Sequence, residues 1–287
     1  MSNYLKKLVV KPGSKIRLKH FDPGYHGKHE SHKAALSEIQ DNRQKMDELQ
    51  YQMYAENKHS LLIVLQGLDA AGKDGVVRHV FTGMNPSGCV SVNFKQPTAK
   101  ELAHDFLWRV HPHVPAKGSV VIFNRSQYED VLVARVHGLV PKRIWSKRYG
   151  QINDFEELIA RENNTTILKF FLHISKEEQL ARFKKRLDDP TRQWKISESD
   201  YEERDYWVDY VKAFEDVLTK TSTECAPWFI VPSNHKWFRD LAISQIIVRQ
   251  MEAMGMQFPK PTVNVAEIRR KYHQATRSEK ADRRKKR

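Results

Sequence analysis

The chain has only two cysteines among its 287 residues, Cys89 and Cys225, and neither stands at metal-ligand spacing. A fold stapled by disulfides is therefore excluded. Both thiols lie in or beside apolar runs and are expected to be buried and free. No apolar stretch approaches the roughly 18 residues that a membrane-spanning helix needs. The N-terminal residues lack the apolar core of a secretory signal, so a cytoplasmic protein is expected. Histidine is plentiful, at 13 residues. Even so, the tightest pair, His111-Pro112-His113, has a proline between its members and no third ligand, so it reads as a loop. Acid is scarce relative to base: 35 Asp and Glu stand against 49 Lys and Arg, a net charge of +14. An excess of that size attracts polyanions such as nucleic acid, acidic membrane or phosphorylated substrates.

One stretch carries more chemistry than any other. Leu61-Leu62-Ile63-Val64-Leu65-Gln66 is an apolar run of strand length. It feeds Gly67-Leu68-Asp69-Ala70-Ala71-Gly72-Lys73-Asp74-Gly75, after which a helix is expected. Strand, glycine-rich loop and helix are the context of a phosphate-binding P-loop. Gly67, Ala70, Ala71, Gly72, Lys73, Asp74 and Gly75 are the expected phosphate-binding stretch. Backbone N–H groups close around phosphate oxygens, and the helix dipole adds positive potential there. Lys73 supplies a point charge to the group being moved.

The usual residue after Gly-Lys is missing. A hydroxyl at that position ordinarily ligates magnesium, but here it is Asp74, and Asp69 adds a second acid inside the loop. Two carboxylates in an anion cradle repel the substrate unless a cation lies between them. Asp69 is therefore read as a magnesium ligand, and the substrate as highly anionic.

Residues 1–30 mix base with Pro12, Gly13, Pro23, Gly24 and Gly27 and read as an irregular basic arm. Apolar residues at helical spacing from Ala35 to Tyr54 predict a helix over 32–57. Apolar strands at 60–66, 88–94, 119–124, 166–174 and 228–231 then alternate with helical segments. Those segments fall at 73–83, 99–110, 128–139, 154–163, 176–187, 199–221 and 235–254. This alternation predicts an α/β fold, a parallel five-stranded sheet with helices on both faces. Ligands of such sheets lie at the carboxyl ends of the strands. The run at 277–287 is charged and without apolar periodicity, and reads as a mobile tail.

The other strand ends are accordingly where partners of the P-loop are expected. Strand three ends in Asn124-Arg125-Ser126-Gln127-Tyr128-Glu129-Asp130. Asn124 stands where P-loop enzymes usually carry a metal-directing Asp and could orient a metal-bound water. Glu129 could supply the missing charge as a second metal ligand, and Arg125 is a fork-shaped donor for phosphate. Lys95 follows strand two, with Thr98 and Glu101 placed as a capping box. Arg182, Lys185 and Arg186 fall on one helix face, with Arg192 and Lys195 beyond. In nucleotide kinases that place holds a lid.

Several of these stretches together resemble the second family of polyphosphate kinases. The matching text is Gly67 through Gly75, Phe94-Lys95-Gln96-Pro97, His104-Asp105-Phe106-Leu107-Trp108-Arg109, Phe123 through Val131, Arg192-Gln193-Trp194-Lys195, and Pro227-Trp228 with Trp237. The resemblance spans most of residues 30–256. It implies a P-loop kinase fold over 31–256 with a helical lid near 182–207, and a C-terminal extension over 257–287. It also implies magnesium-dependent phosphoryl transfer between inorganic polyphosphate and nucleotides. By that resemblance Asp69, Lys73, Arg125 and Arg186 are the catalytic residues. Lys95 and Lys195 are phosphate contacts, and Asp69 and Glu129 hold magnesium; Arg182, on the helix face of Arg186, is expected to bind phosphate as well. Most members carry Asp where this chain has Asn124 and Asn where it has Glu129. The exchange resembles the subgroup that accepts both AMP and ADP, with guanine nucleotides as further candidates. Expected partners are polyphosphate and AMP, ADP or ATP, with no membrane, no specific nucleic acid, and a homo-oligomer, dimer or tetramer, as the assembly.

Two other functions compete. An ATP-dependent nucleotide or nucleoside kinase would normally carry Ser or Thr at 74 and an acid at 124. A basic nucleic-acid-binding protein would explain the charge but not the P-loop, and no compact nucleic-acid module is visible.

Overall fold

Strand β1 (Ser60–Gln66) is buried along its whole length and sits at the centre of the sheet. The structure, a computed structural model, describes residues 3–29 and 31–285. The other strands are β2 (Cys89–Asn93), β3 (Val120–Asn124), β4 (Thr165–His173) and β5 (Trp228–Pro232). All neighbours pair in parallel, in the order β2-β3-β1-β4-β5. The α/β expectation is met, with strand ends differing from the reading by one residue at most.

The helices are α1 (Tyr4–Leu8), α2 (His32–Glu56), α3 (Lys73–Val80), α4 (Ala99–Leu102), α5 (Val133–Val136), α6 (Lys142–Glu162), α7 (Lys176–Leu187), α8 (Ser199–Glu202), α9 (Trp207–Thr221), α10 (Lys236–Ala253) and α11 (Val265–Lys285). Side chains alternate across the sheet, so β1 divides the core in two. Leu61, Ile63 and Leu65 pack with residues of α2, α3 and α10. Leu62 and Val64 pack on the opposite face with residues of α6 and α9. Each such side chain taken wholly out of water contributes roughly 1.5–3 kcal/mol.

Residues 3–29 differ from an irregular arm. Tyr4, Leu8, Val10, Ile16 and Leu18 are buried. The Tyr4 ring meets Phe238 edge-on at 5.3 Å, and Val10 N–H donates to Trp228 O at 2.8 Å. The anchors are scattered among Pro and Gly, so no period betrays them. These residues belong to one compact unit spanning 1–256.

Four helical expectations need correction, the first being that the helix expected over 154–163 already begins at Lys142 as α6. Over 99–110 only α4 forms. The Thr98/Glu101 capping box is present, but the Asp105 carboxylate accepts from Leu107 and Trp108 N–H and turns the chain out of the helix. Over 128–139 a 3-10 turn at Gln127–Asp130 precedes the short α5, because the Ser126 hydroxyl accepts from Tyr128 N–H and restarts the backbone. Over 199–221 a turn separates α8 from α9 and lets Arg204 reach Lys176 O and Gln179 Oε1 on α7. Both cysteines are free but half-buried rather than fully enclosed.

The second unit, 257–287, contains α11. The charge run expected to be mobile is helical as far as Lys285, and residues 286–287 lie outside the described residues. Lys, Arg, Glu and Ala are good helix formers even without an apolar stripe. The Asn264 side chain accepts from Glu267 N–H, and Lys271 pairs with Glu267 at 3.0 Å. No helix among the described residues is long and apolar enough to cross a membrane.

Candidate active site

The P-loop runs from the end of β1 into α3. Gly72 is the residue before the first helical turn, at φ 108°, and Ala70 is also left-handed at φ 59°. Alternation of this kind turns successive N–H groups toward one concavity. The Lys73 ammonium lies back over the loop, donating to Gly67 O at 2.6 Å and Leu68 O at 3.4 Å. Burial, followed by the nearby Arg125 charge, pushes its pKa down to about 8.

Parallel pairing brings the end of β3 beside this loop, with Leu65 opposite Asn124. Arg125 is left-handed too, at φ 64°, and its N–H donates to Leu65 O. Its guanidinium gathers two carboxylates, Asp69 at 3.1 Å and Glu129 at 3.4 Å. Burial opposes the Arg125 charge, but Glu129 and Asp69 outweigh it and hold its pKa above the ordinary value. Asn124 is buried and donates to Asp74 Oδ1 at 2.8 Å. It therefore acts on the P-loop acid directly, in place of the metal-bound water expected of it.

The segment expected to form a lid places its cations differently. Arg186 pairs with Asp200 at 3.4 Å, and Lys195 reaches the exposed Asp74 at 3.7 Å. Lys95 is exposed beyond β2. Arg182 does not join the cleft-facing set. It is buried, and all three of its nitrogens are engaged by protein: Nε on Glu178, Nη1 on Ala70 O and Ala71 O, Nη2 on Ser233 O and Asn234 O. Helical spacing puts it one turn from Arg186, but the P-loop packs over it.

A shallow cleft opens beside Gly67, Asp69, Arg125 and Glu129. Its lining also includes Glu203 and the apolar or aromatic Leu132, Trp207, Tyr210 and Phe214. The last three stand at i, i+3 and i+7 on α9, a signal present in the sequence but hidden among many aromatics. A buried network behind β3 was also missed. Glu156 accepts from Gln127 Nε2 at 3.0 Å, Tyr128 O–H at 2.8 Å and Lys169 Nζ at 2.5 Å. Lys169 also donates to Thr221 O at 2.6 Å. Burial pushes the Glu156 carboxyl up and the Lys169 amine down, while their mutual attraction opposes both shifts. The network clamps the 3-10 turn that carries Glu129. Its signal is one lysine inside an otherwise apolar strand.

Among the described residues no three His, Cys, Asp or Glu side chains form a ready-made metal set. Asp69 and Glu129, facing one guanidinium, still provide two hard oxygen donors. Magnesium is commonly held by one or two carboxylates with substrate phosphates and water completing the shell. The residues present fit such an ion.

With this geometry in place, the comparisons with known proteins are specific. The family described as Polyphosphate kinase 2 (PPK2) matches residues 29–259. An AMP/ADP-polyphosphate phosphotransferase from Meiothermus ruber is 49% identical over 258 residues, covering 90% of this chain and 96% of the relative. An ADP-polyphosphate phosphotransferase from Rhodopseudomonas palustris is 42% identical over 273 residues, covering 90% and 93%. The crystal structure of polyphosphate kinase 2 from Arthrobacter aurescens TC1 superposes with a TM-score of 0.91 at 40% identity, covering 95% of this chain and 97% of that one.

Proposed function

The chain belongs to the polyphosphate kinase 2 family, and from that premise we propose that it transfers phosphoryl groups from inorganic polyphosphate to both AMP and ADP. The relative named for both acceptors supports this range. The observation that carries it is the rearranged carboxylate set: Asn124 tied to Asp74, with Glu129 and Asp69 gathered on Arg125. A charge moved from 124 to 129 lies nearer the cleft, where acceptors differing by one phosphate could both align. The apolar and aromatic side chains of its lining would take either purine, so guanine nucleotides are included in the proposal.

The chain's own residues then have simple tasks. The acceptor is a phosphate oxygen already ionised near neutral pH, so no strong general base is required. The loop N–H groups and Lys73 hold the transferring group, and Arg125 aligns the acceptor phosphate beside it. Arg186 and Lys195 approach from the lid and exclude water. Magnesium, which Asp69 and Glu129 would hold, supplies neutralisation of the charge spread over the equatorial oxygens.

The test starts from AMP and ADP separately, with polyphosphate as sole donor, and resolves products by chromatography. Wild type should consume both. The double change Asn124→Asp with Glu129→Asn should narrow acceptance to one class. Use of a single acceptor by wild type, or an unchanged ratio in the double variant, contradicts the proposed acceptor range.

A further inference from the structure

The backbone carbonyls of residues 67–71 are all held by side-chain donors. Lys73 takes those of Gly67 and Leu68. Gln179 Nε2 donates to Asp69 O at 2.9 Å. Arg182 Nη1 donates to Ala70 O at 2.8 Å and Ala71 O at 3.0 Å. Arg239 Nη1 also reaches Ala71 O, at 3.3 Å. The last three side chains come from α7 and α10, behind the loop. A carbonyl turned into the cradle would set its negative end against phosphate oxygens. Held outward, it leaves the N–H end of its peptide for the anion, except at the Ala70–Ala71 peptide, where the Ala71 N–H donates to Leu68 O at 3.1 Å.

We propose that Arg182 and Arg239 are positioning residues of phosphoryl transfer, a buried guanidinium pair that fixes the P-loop peptides with their N–H groups toward phosphate. The inference rests on the phosphoryl-transfer reading of this site. Three observations support it. Ala70 is left-handed without being glycine, a conformation that persists only where the surroundings over-determine it. Arg239 is 1% exposed, and its Nε and Nη2 are anchored on Asp240 Oδ1 at 2.9 and 2.8 Å. A Cβ at Gly72 would collide with Arg239 Nη1, and one at Gly75 would meet Nη2 at 3.1 Å. Loop backbone and guanidinium are therefore fitted to each other. Apolar side chains of similar volume would often stabilise such a place as well or better, so a need for packing alone does not account for two buried arginines.

The test compares wild type with Arg182→Lys and Arg239→Lys, which keep the charge and lose the planar fork. Asp240→Asn, which loosens Arg239 without removing it, is the milder second variant. Ile246→Val, a buried change on α10 away from the loop, is the control for lost stability. Turnover with polyphosphate, KM for the acceptor, melting temperature and calorimetric titration with tripolyphosphate are measured for each. Both lysine variants should lose about 10–100-fold in kcat, the scale of a misplaced cradle. They should also bind tripolyphosphate at least several-fold more weakly, while the acceptor KM moves little. Asp240→Asn should show a smaller loss of the same kind, and Ile246→Val only a lower melting temperature. Lysine variants with wild-type kcat and wild-type tripolyphosphate binding overturn the inference, as does an equal kcat loss in the Ile246→Val control. Failure of wild type to use polyphosphate would defeat the functional reading instead, and the titration still tests the cradle.

Discussion

The P-loop and the segment expected to form a lid are held by different physics. Behind the P-loop, Arg182 and Arg239 are nearly or wholly enclosed, and their donors end on backbone carbonyls or on carboxylates packed beside them. In the segment expected to form a lid most pairs are on the surface, Lys184 with Asp188, Arg192 with Asp189 and Lys195 with Asp74, while Arg186 with Asp200 is half-buried. Trp194 is 77% exposed, with its indole N–H held by Thr191 O. Buried donors in a low-dielectric setting give a fixed arrangement, whereas exposed ion pairs are each worth at most about 1 kcal/mol and can be exchanged. The difference teaches a division of labour: buried donors fix the P-loop in one arrangement, while exposed pairs leave their cations free to exchange partners.

The strongest way to break this contrast is inside the buried network. Lys169→Met leaves Glu156 enclosed without its cation and should cost roughly 3–5 kcal/mol of stability, read by denaturant unfolding. Adding Glu156→Gln should recover much of it. A single variant that loses under about 1 kcal/mol would mean that water reaches this network, and the rigid wall behind β3 would be lost with it.

Lys73→Ala comes next. It should leave the fold intact and cost on the order of 3 kcal/mol in kcat, the scale of one removed transition-state donor. The Lys73 pKa of about 8 adds a pH signature. The cation prevails below that value, so kcat/KM should fall as pH rises through about 8. Because folding lowers the pKa from 10.5, it disfavours the charged amine. Wild type should therefore gain stability relative to Lys73→Ala between about pH 8 and 10.5. A flat difference across that window would contradict the buried environment given to Lys73.

Lys195→Ala should have the smallest effect. Its partner Asp74 is exposed, so stability should change by less than about 1 kcal/mol. The logarithmic salt dependence of polyphosphate binding should fall by about one unit, the loss of a single phosphate contact. An unchanged slope would place Lys195 outside the polyphosphate path.

The same contrast explains what could be read from the sequence. β1 and the P-loop were legible because a buried strand, a spaced pair of glycines and a lysine are local features. Asn124, Arg125 and Glu129 were legible because parallel topology brings strand ends together. Arg182 was misread, since helical spacing shows which residues share a face but not which neighbour covers them. Arg239 and Lys169 went unseen as functional supports because their partners lie 168 and 13 positions away in sequence. Lys169 nevertheless left a trace, a charge inside a mostly apolar strand, whereas Arg239 stands among the other charges of α10 and left none. The N-terminal anchors Tyr4 and Leu8 left none, since one helical turn is too short to show a period.

The account turns on donor identity, and chromatography of AMP incubated with either polyphosphate or ATP measures it directly. With polyphosphate alone, free of other kinases, AMP should pass to ADP and then to ATP, and Lys73→Ala should slow both steps by roughly 100-fold. Phosphorylation of AMP only when ATP is supplied, with polyphosphate inert, would contradict the account and restore the ATP-dependent nucleotide kinase reading.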